Sequence, residues 1–424
     1  MQKTMTLTDN QTGKSAIYNI LDATMGNSLI DISTLNKDFG LFTLDNGLSM
    51  TASCSSSITY IDGDKGELFY RGYPIEYLAK NHKYLEVAYL VLTGELPSKE
   101  EFDIFESDMR IKRYPNEGLK DLFKSFPDSA HPMAMLSSAV SALSAFHNQH
   151  LNIKSEEEYQ DMARRIISKM PTLAAWTYRR SKGYPFVYPD LNRYFTENFL
   201  YMMRAFPGGV ADIKQIEIDA LDAIFTLHAD HEQNASTSTV RLVCSTGAHP
   251  YAAISAGINS LWGRSHGGAN ESVIDQLLTI GDVSQVEKYI EKAKDPNDSF
   301  KLMGFGHRVY KSYDPRAKVL KELRDKLQSE LGISSKLIEV ANKVEEIALK
   351  DEYFVSRNLY PNIDFYSGVI LAALGIERPM FTPIFVIGRT VGWITHWMEQ
   401  KRGANKIVRP RQRYMGNISK IHKF

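Results

Sequence analysis

Short apolar runs at residues 18–21, 29–32 and 41–44 alternate with polar, Gly-, Asn- and Asp-rich turns, which predicts several short strands. A hairpin is expected at residues 58–73, where Tyr60-Ile61 and residues 68–70 flank a turn containing Asp62, Gly63, Asp64 and Gly66. After Pro74 the period changes. Apolar residues recur at three- and four-residue spacing, as in residues 133–146 and 213–228, which predicts amphipathic helices. Ser98 with Glu101, and Ser155 with Glu158, have capping-box spacing. Pro171 is expected to open a helix that ends near Gly183. Asp314-Pro315 reads as an N-cap followed by a first-turn proline, for a helix that carries Val319, Leu320, Leu323 and Leu327 and stops at Gly332. Asp364 is expected to cap a further helix ending at Gly375. Many candidate helices without βαβ alternation give a mostly α class with a small N-terminal β region.

Soft boundaries fall in the glycine-rich run at 263–268 and near 378–388, with a Lys/Glu-rich segment between them. The expected division is an N-terminal β region at 1–57, a large α domain at 58–277 and 389–424, and a smaller α domain at 278–388.

Composition narrows the function classes. The chain has 424 residues, with 50 basic and 50 acidic side chains, and is 43% hydrophobic. Balanced charge argues against a globally basic nucleic-acid binder but leaves room for local anion sites. Two cysteines, Cys54 and Cys244, are too few for a disulfide framework or a four-thiolate zinc site. The polar first residues lack the apolar core of a secretory signal, so the expected compartment is the cytoplasm. Residues 379–398 carry a single formal charge, Arg389, and have the length of a membrane span. An arginine at the bilayer centre costs about 2.5 kcal/mol or more, and Pro383, Gly388 and His396 interrupt the run. A buried helix is therefore expected, and it raises the question of why such a helix carries an arginine.

Five of the eleven histidines (His228, His231, His249, His266 and His307) fall between residues 228 and 307. His228 and His231, three apart, would share one helix face. Their order with Glu232 matches no zinc-protease pattern, so no metal ligands are assigned. The pair reads either as a polar helix end with one packed histidine or as part of a substrate-anion site. His266 precedes two glycines and an apolar periodic run. At a helix N-terminus the dipole favours neutral imidazole, which can polarise a carbonyl. Residues 304–309 (GFGHRV) begin like a dinucleotide fingerprint but end in valine with no preceding strand, and are read instead as a glycine loop carrying His307 and Arg308. Arg316 stands at a helix start, where a cation is disfavoured unless an anion is buried beside it. Asp364 lies in an aromatic, apolar setting that desolvates a carboxylate and raises its pKa, against the helix dipole. Arg316, Arg389 and Arg409 suit the carboxylates of a small polyanion. A carboxylate base, carbonyl-polarising histidines and an arginine clamp are what proton abstraction next to a carbonyl requires.

These residues resemble the citrate synthase family, in its longer bacterial form. The matching stretches are residues 58–63 (ITYIDG), 70–76 (YRGYPIE), 228–239 (HADHEQNASTST), 266–271 (HGGANE), 304–310 (GFGHRVY), 314–316 (DPR) and 360–368 (YPNIDFYSG). The resemblance implies that Asp364 takes a proton from acetyl-CoA, His266 stabilises the enol, and His307 polarises the ketone of oxaloacetate. Arg316, Arg389 and Arg409 would hold carboxylates, with His231, His228 and Asn234 lining the site. Met303, Gly304, Phe305 and Lys311 would contact the acetyl-CoA co-substrate. The small domain would close over the large one. No permanently bound cofactor, nucleic acid or membrane partner is implied. Arg409 reaching a neighbouring subunit would make the chain a dimer with shared active sites, assembled as a hexamer. Some long relatives respond to NADH, but no motif here carries that site over. A 2-methylcitrate synthase using propionyl-CoA, and a metal-binding or structural helical protein, are the alternatives.

Overall fold

The apolar runs near the N-terminus pair as expected, up to a point. In the computed structural model, which describes residues 2–148, 153–206, 209, 211–307, 309–331, 336–403 and 406–417, Ser15–Leu21 pairs antiparallel with Thr4–Thr8 and with Leu29–Ile30. The expected strand at 41–44 does not form; those residues are irregular and exposed. They follow the short helix Leu35–Phe39, and among the described residues no strand pairs with them. The chain divides into two compact units, one of Met1–Ser56 with Ile407–Phe424 and one of Ser57–Lys406. In the first unit Tyr18 is buried, with its hydroxyl 3.2 Å from the Asp38 carboxylate, and the Arg411 guanidinium lies over the Phe42 ring.

The second unit opens with the expected hairpin, Thr59–Asp62 against Glu67–Tyr70, followed by Tyr73–Pro74 on the same sheet. Its turn closes at Gly66, whose φ of 71° suits glycine. Helices then dominate. Both capping boxes are present, at Ser98 and Ser155. Pro171 does not open a helix: it lies inside Glu156–Ser181, a 26-residue helix whose packed face compensates for the missing donor. Pro315–Leu331 begins at its proline, while Gly332 falls outside the described residues, as does Arg308.

Phe381–Arg402 runs through the core and packs against Glu156–Ser181, Ala235–Ser245 and Pro250–Leu261. It contains the stretch of membrane-span length, and no helix of the described residues is long and apolar enough to cross a membrane. Glycines make its close packing possible. A Cβ at Gly388 would lie 2.8 Å from the Phe225 carbonyl oxygen, and one at Gly392 would lie 2.4 Å from that of Ala229. The helix Ile363–Ala373 packs against Ala269–Ile280 and Pro315–Leu331, and so draws three separately encoded motifs together.

Candidate active site

The helix Gln215–Leu227 ends before the first histidine pair. His228 takes the C-cap position and His231 lies in the following turn, so the two do not share a helix face as expected. Asn234 then caps Ala235–Ser245 by accepting from the Ser236 and Thr237 amides, both at 3.1 Å. The His228 ring stacks on Phe385 with centroids 3.9 Å apart, and its Nδ1 lies 2.7 Å from the Ile224 carbonyl oxygen. A carbonyl only accepts, so the ring proton is on Nδ1 and the buried Nε2 is an acceptor. Burial, with the Arg316 charge, holds His228 well below the usual imidazole range. The same two causes hold His231 low, and its Nε2 lies 3.4 Å from the Tyr310 hydroxyl.

The glycine loop that carries His307 is zipped to the segment before Asp364. Phe305 and Pro361 form an isolated antiparallel bridge. The Gly306 amide donates to Tyr360 O and the Asn362 amide to Gly304 O, both at 2.8 Å, and the Asn362 side chain donates to Gly306 O at 2.7 Å. Gly304 is needed here, because its φ is 79° and a Cβ would sit 2.9 Å from that of Phe365. His307 Nδ1 accepts from the Val309 and Tyr310 amides at 3.0 and 3.2 Å. These two shorter bonds set the ring proton on Nε2, so the Arg316 guanidinium, which also only donates, faces that N–H at 3.5 Å without bonding it. Burial pushes His307 down to about 4, and Arg316, whose guanidinium lies 3.5 Å from Nε2, reinforces this.

Asp364 is not the helix cap expected from the sequence. Asn362 caps, accepting from the Asp364 and Phe365 amides at 2.9 and 3.3 Å, which leaves the Asp364 carboxylate without a capping duty. Burial pushes that carboxyl up to about 6, against the pull of Arg316 and Arg389. Desolvation, helped by the Asp314 charge, thus outweighs both cations.

His266 lies two residues before Gly268, the cap of Ala269–Ile280, and burial pushes it down to about 4. Its Nε2 is 2.9 Å from the Ser236 hydroxyl, which also accepts from the Trp393 indole at 3.1 Å. The single hydroxyl proton of Ser236 has two acceptors in reach, His266 Nε2 and Asn234 Oδ1 at 2.7 Å. When it goes to His266, the ring's own proton sits on Nδ1.

The arginines differ. The anion expected beside Arg316 is Asp314, which accepts from its Nε and a terminal nitrogen, both at 3.0 Å, with both side chains almost wholly buried. Arg389 donates through Nε to the His228 carbonyl at 2.6 Å, but among the described residues it forms no ion pair. Arg409 is exposed and belongs to the terminal unit. Of the expected coenzyme contacts, Gly304 is buried, and Met303 and Phe305 are half-buried. Lys311 is 78% exposed and pairs with Asp64 on the hairpin at 2.9 Å. No cluster of three or more His, Cys, Asp or Glu among the described residues is arranged to hold a metal. Sequence patterning does not single out Ser236, Tyr310 or Trp393, which are ordinary helix and loop residues until folding aims them. Asn362 carries the one available signal, an asparagine just ahead of an apolar helical run.

A helical scaffold that collects a carboxyl of raised pKa, neutral imidazoles and buried guanidinium groups is that of an enzyme for acid–base carbon chemistry. Residues 47–411 match the family described as citrate synthase, C-terminal domain. The citrate synthase of Helicobacter pylori is 53% identical over 97% of this chain and the whole of that protein. Among solved structures, citrate synthase from Pyrobaculum aerophilum superposes with a TM-score of 0.82 at 37% identity, covering 99% of this chain and 98% of that one. The Thermoplasma acidophilum enzyme, solved as a ternary complex with carboxymethyl coenzyme A and oxaloacetate, gives 0.81 at 31% identity over 89% of this chain and 97% of that one. The chain belongs to the citrate synthase family. It is an acyltransferase that condenses acetyl-CoA with oxaloacetate and releases citrate and CoA.

Proposed function

We propose that Asp364 is the base that removes a methyl proton from acetyl-CoA. His266 donates from Nδ1 to the thioester oxygen as it becomes an enol oxygen, with Ser236 holding the other ring nitrogen. The enol carbon then attacks the ketone of oxaloacetate, whose oxygen is polarised by His307 Nε2–H. The new carbon–carbon bond gives citryl-CoA, and water cleaves its thioester to citrate and CoA. Arg389, Arg316 and Arg409 hold the carboxylates together with His231. Asn234 shapes the loop, and His228, an acceptor at Nε2, suits a donor such as a neighbouring guanidinium. Met303, Gly304, Phe305 and Lys311 contact the coenzyme. The 278–388 segment acts as a small domain that closes over the rest. The enzyme works without a resident cofactor, in the cytoplasm, as a dimer with shared sites, further assembled into a hexamer.

One observation supports this reading above the others: Asp364 is relieved of capping by Asn362 and pushed up to about 6 by burial, which leaves it basic enough to take a proton and still ionised at neutral pH. Neutral His266 and His307 match, because a cationic imidazole would protonate rather than polarise. The test is thiol release from acetyl-CoA with oxaloacetate, run beside propionyl-CoA and with and without NADH. A higher kcat/KM for acetyl-CoA is expected; a preference for propionyl-CoA would reassign the acyl substrate.

A further inference from the structure

Beneath the His228–Asn234 turn lies a buried polar chain that the catalytic steps do not use. The Asp230 and His396 side chains are 0% and 1% exposed, with Oδ2 and Nε2 3.3 Å apart. Arg241 contacts His396 Nδ1 at 3.1 Å and Glu399 at 2.8 Å. A guanidinium only donates, so His396 Nδ1 accepts and its proton sits on Nε2, directed at Asp230. Asp230 Oδ2 also accepts from the Glu232 amide at 3.1 Å, where the backbone takes a φ of +52°. The backbone of Asp230 meets the Tyr70 hydroxyl, which donates to its carbonyl at 2.9 Å.

The placement along Phe381–Arg402 is regular. Gly388, Gly392 and His396 recur every four residues and so form one stripe. Gly392 lets the backbone of Ala229 and Asp230 rest on the helix, because a Cβ there would lie 2.4 Å from Ala229 O and from Asp230 Oδ1. The Gly392 amide donates to Ala229 O at 3.1 Å. Arg389, one residue off the stripe, donates to the carbonyl of His228. The turn that carries His231 and the helix that carries Arg389 are thus joined at three successive helical turns, and His396 supplies the only one of the three made by a side chain of the stripe.

We propose that His396 is a positioning residue for oxaloacetate. Its Nε2–H on Asp230 clamps the 228–234 turn to the helix of Arg389, so that His231 and Arg389 meet the substrate as one rigid pair. This rests on the assignment of His231 and Arg389 as oxaloacetate ligands. Preorganisation of this kind is lost by small displacements, and the loss falls on the substrate those groups hold.

The experiment compares His396→Leu, His396→Gln, Asp230→Ala and Arg389→Gln with the wild-type enzyme, reading KM for each substrate, kcat and Tm. His396→Leu is expected to raise KM for oxaloacetate about tenfold or more and to leave KM for acetyl-CoA within about twofold. His396→Gln, whose amide nitrogen can stand near the position of Nε2, is expected to restore the oxaloacetate KM to within about threefold of wild type. A purely structural role would lower Tm without this split between substrates. Equal changes in both KM values, or none in folded His396→Leu, overturn the proposal. Should that variant not fold, Asp230→Ala, which removes the acceptor of His396 Nε2–H, carries the test, and an unchanged oxaloacetate KM overturns it. If Arg389→Gln itself leaves the oxaloacetate KM unchanged, the ligand assignment falls and the proposal with it. If only the His396 and Asp230 variants are silent, the positioning role alone falls.

Discussion

Arg316 and Arg389 are both almost wholly buried, and the protein holds them in opposite ways. Arg316, at the start of Pro315–Leu331, is gripped by Asp314, whose charge keeps its pKa raised in spite of burial. Arg389 sits in the apolar middle of Phe381–Arg402 with a backbone carbonyl for company, and burial lowers its pKa. Arg316 keeps a protein carboxylate beside it, whereas Arg389 has none among the described residues. A buried ion pair stays put because breaking it strands a charge, whereas a buried cation with no carboxylate partner bears its desolvation without that compensation. Asp364 lies within the field of both, and its raised pKa is the balance of their attraction against desolvation and the nearby Asp314 charge.

The largest effect is expected where the two fields meet. Asp364→Asn should lower kcat by about 10²- to 10⁴-fold. In the wild type, kcat/KM should fall about tenfold per pH unit below about 6 as the base of the free enzyme is protonated. Stability should move the other way. The folded pKa lies above the unfolded one, so between about 4 and 6 the native state binds the extra proton, and wild-type stability falls as pH rises through that window. Asp364→Asn lacks this loss and should be about 2 kcal/mol more stable than wild type at pH 7, with the gap closing below pH 4. Urea melts at pH 4 and pH 7 measure this; a variant less stable at pH 7 would contradict the balance just described.

Next in size is the contrast between the arginines themselves. Arg316→Gln strands Asp314 and should cost about 3–5 kcal/mol in chemical denaturation, and adding Asp314→Asn should restore part of it. Arg389→Gln should change stability by only about 1 kcal/mol, since no carboxylate loses its partner, while raising the oxaloacetate KM by about 10- to 100-fold. If the two single variants lost stability equally, the distinction between an arginine with a carboxylate partner and one without would collapse. The smallest effect is expected at Lys311. Its exposed pair with Asp64 is worth less than about 1 kcal/mol, so Lys311→Ala should leave the melting curve unchanged and raise the acetyl-CoA KM by a few-fold, more at low salt than at high.

Much of the site could be read from residue types in order along the chain. His266, His307, Asp364 and Arg389 each stand in a local context that is odd for its type: an imidazole before two glycines, an arginine in an apolar helix. Such oddities survive in one dimension because they offend local propensity. Relations did not survive. The hydrogen-bond direction of His307 depends on two amides of its own loop. The freedom of Asp364 depends on Asn362 taking the cap two residues earlier. His228 and His231 look like partners on a helix only until the helix is seen to end at Leu227. The expected strand at 41–44 fails for the same kind of reason, because an apolar run becomes a strand only when another strand lies beside it.

The sequence by itself determined the helical class, the hairpin, the capping boxes and the chemical groups on offer, all of which rest on spacings of a few residues. Tertiary structure decided which proton sits on which nitrogen, which carboxylate is free of capping, and which arginine has a carboxylate partner. Those properties come from desolvation and from partners as distant in sequence as Arg389 and His228, and neither burial nor a contact across 161 residues has any signature in the local pattern.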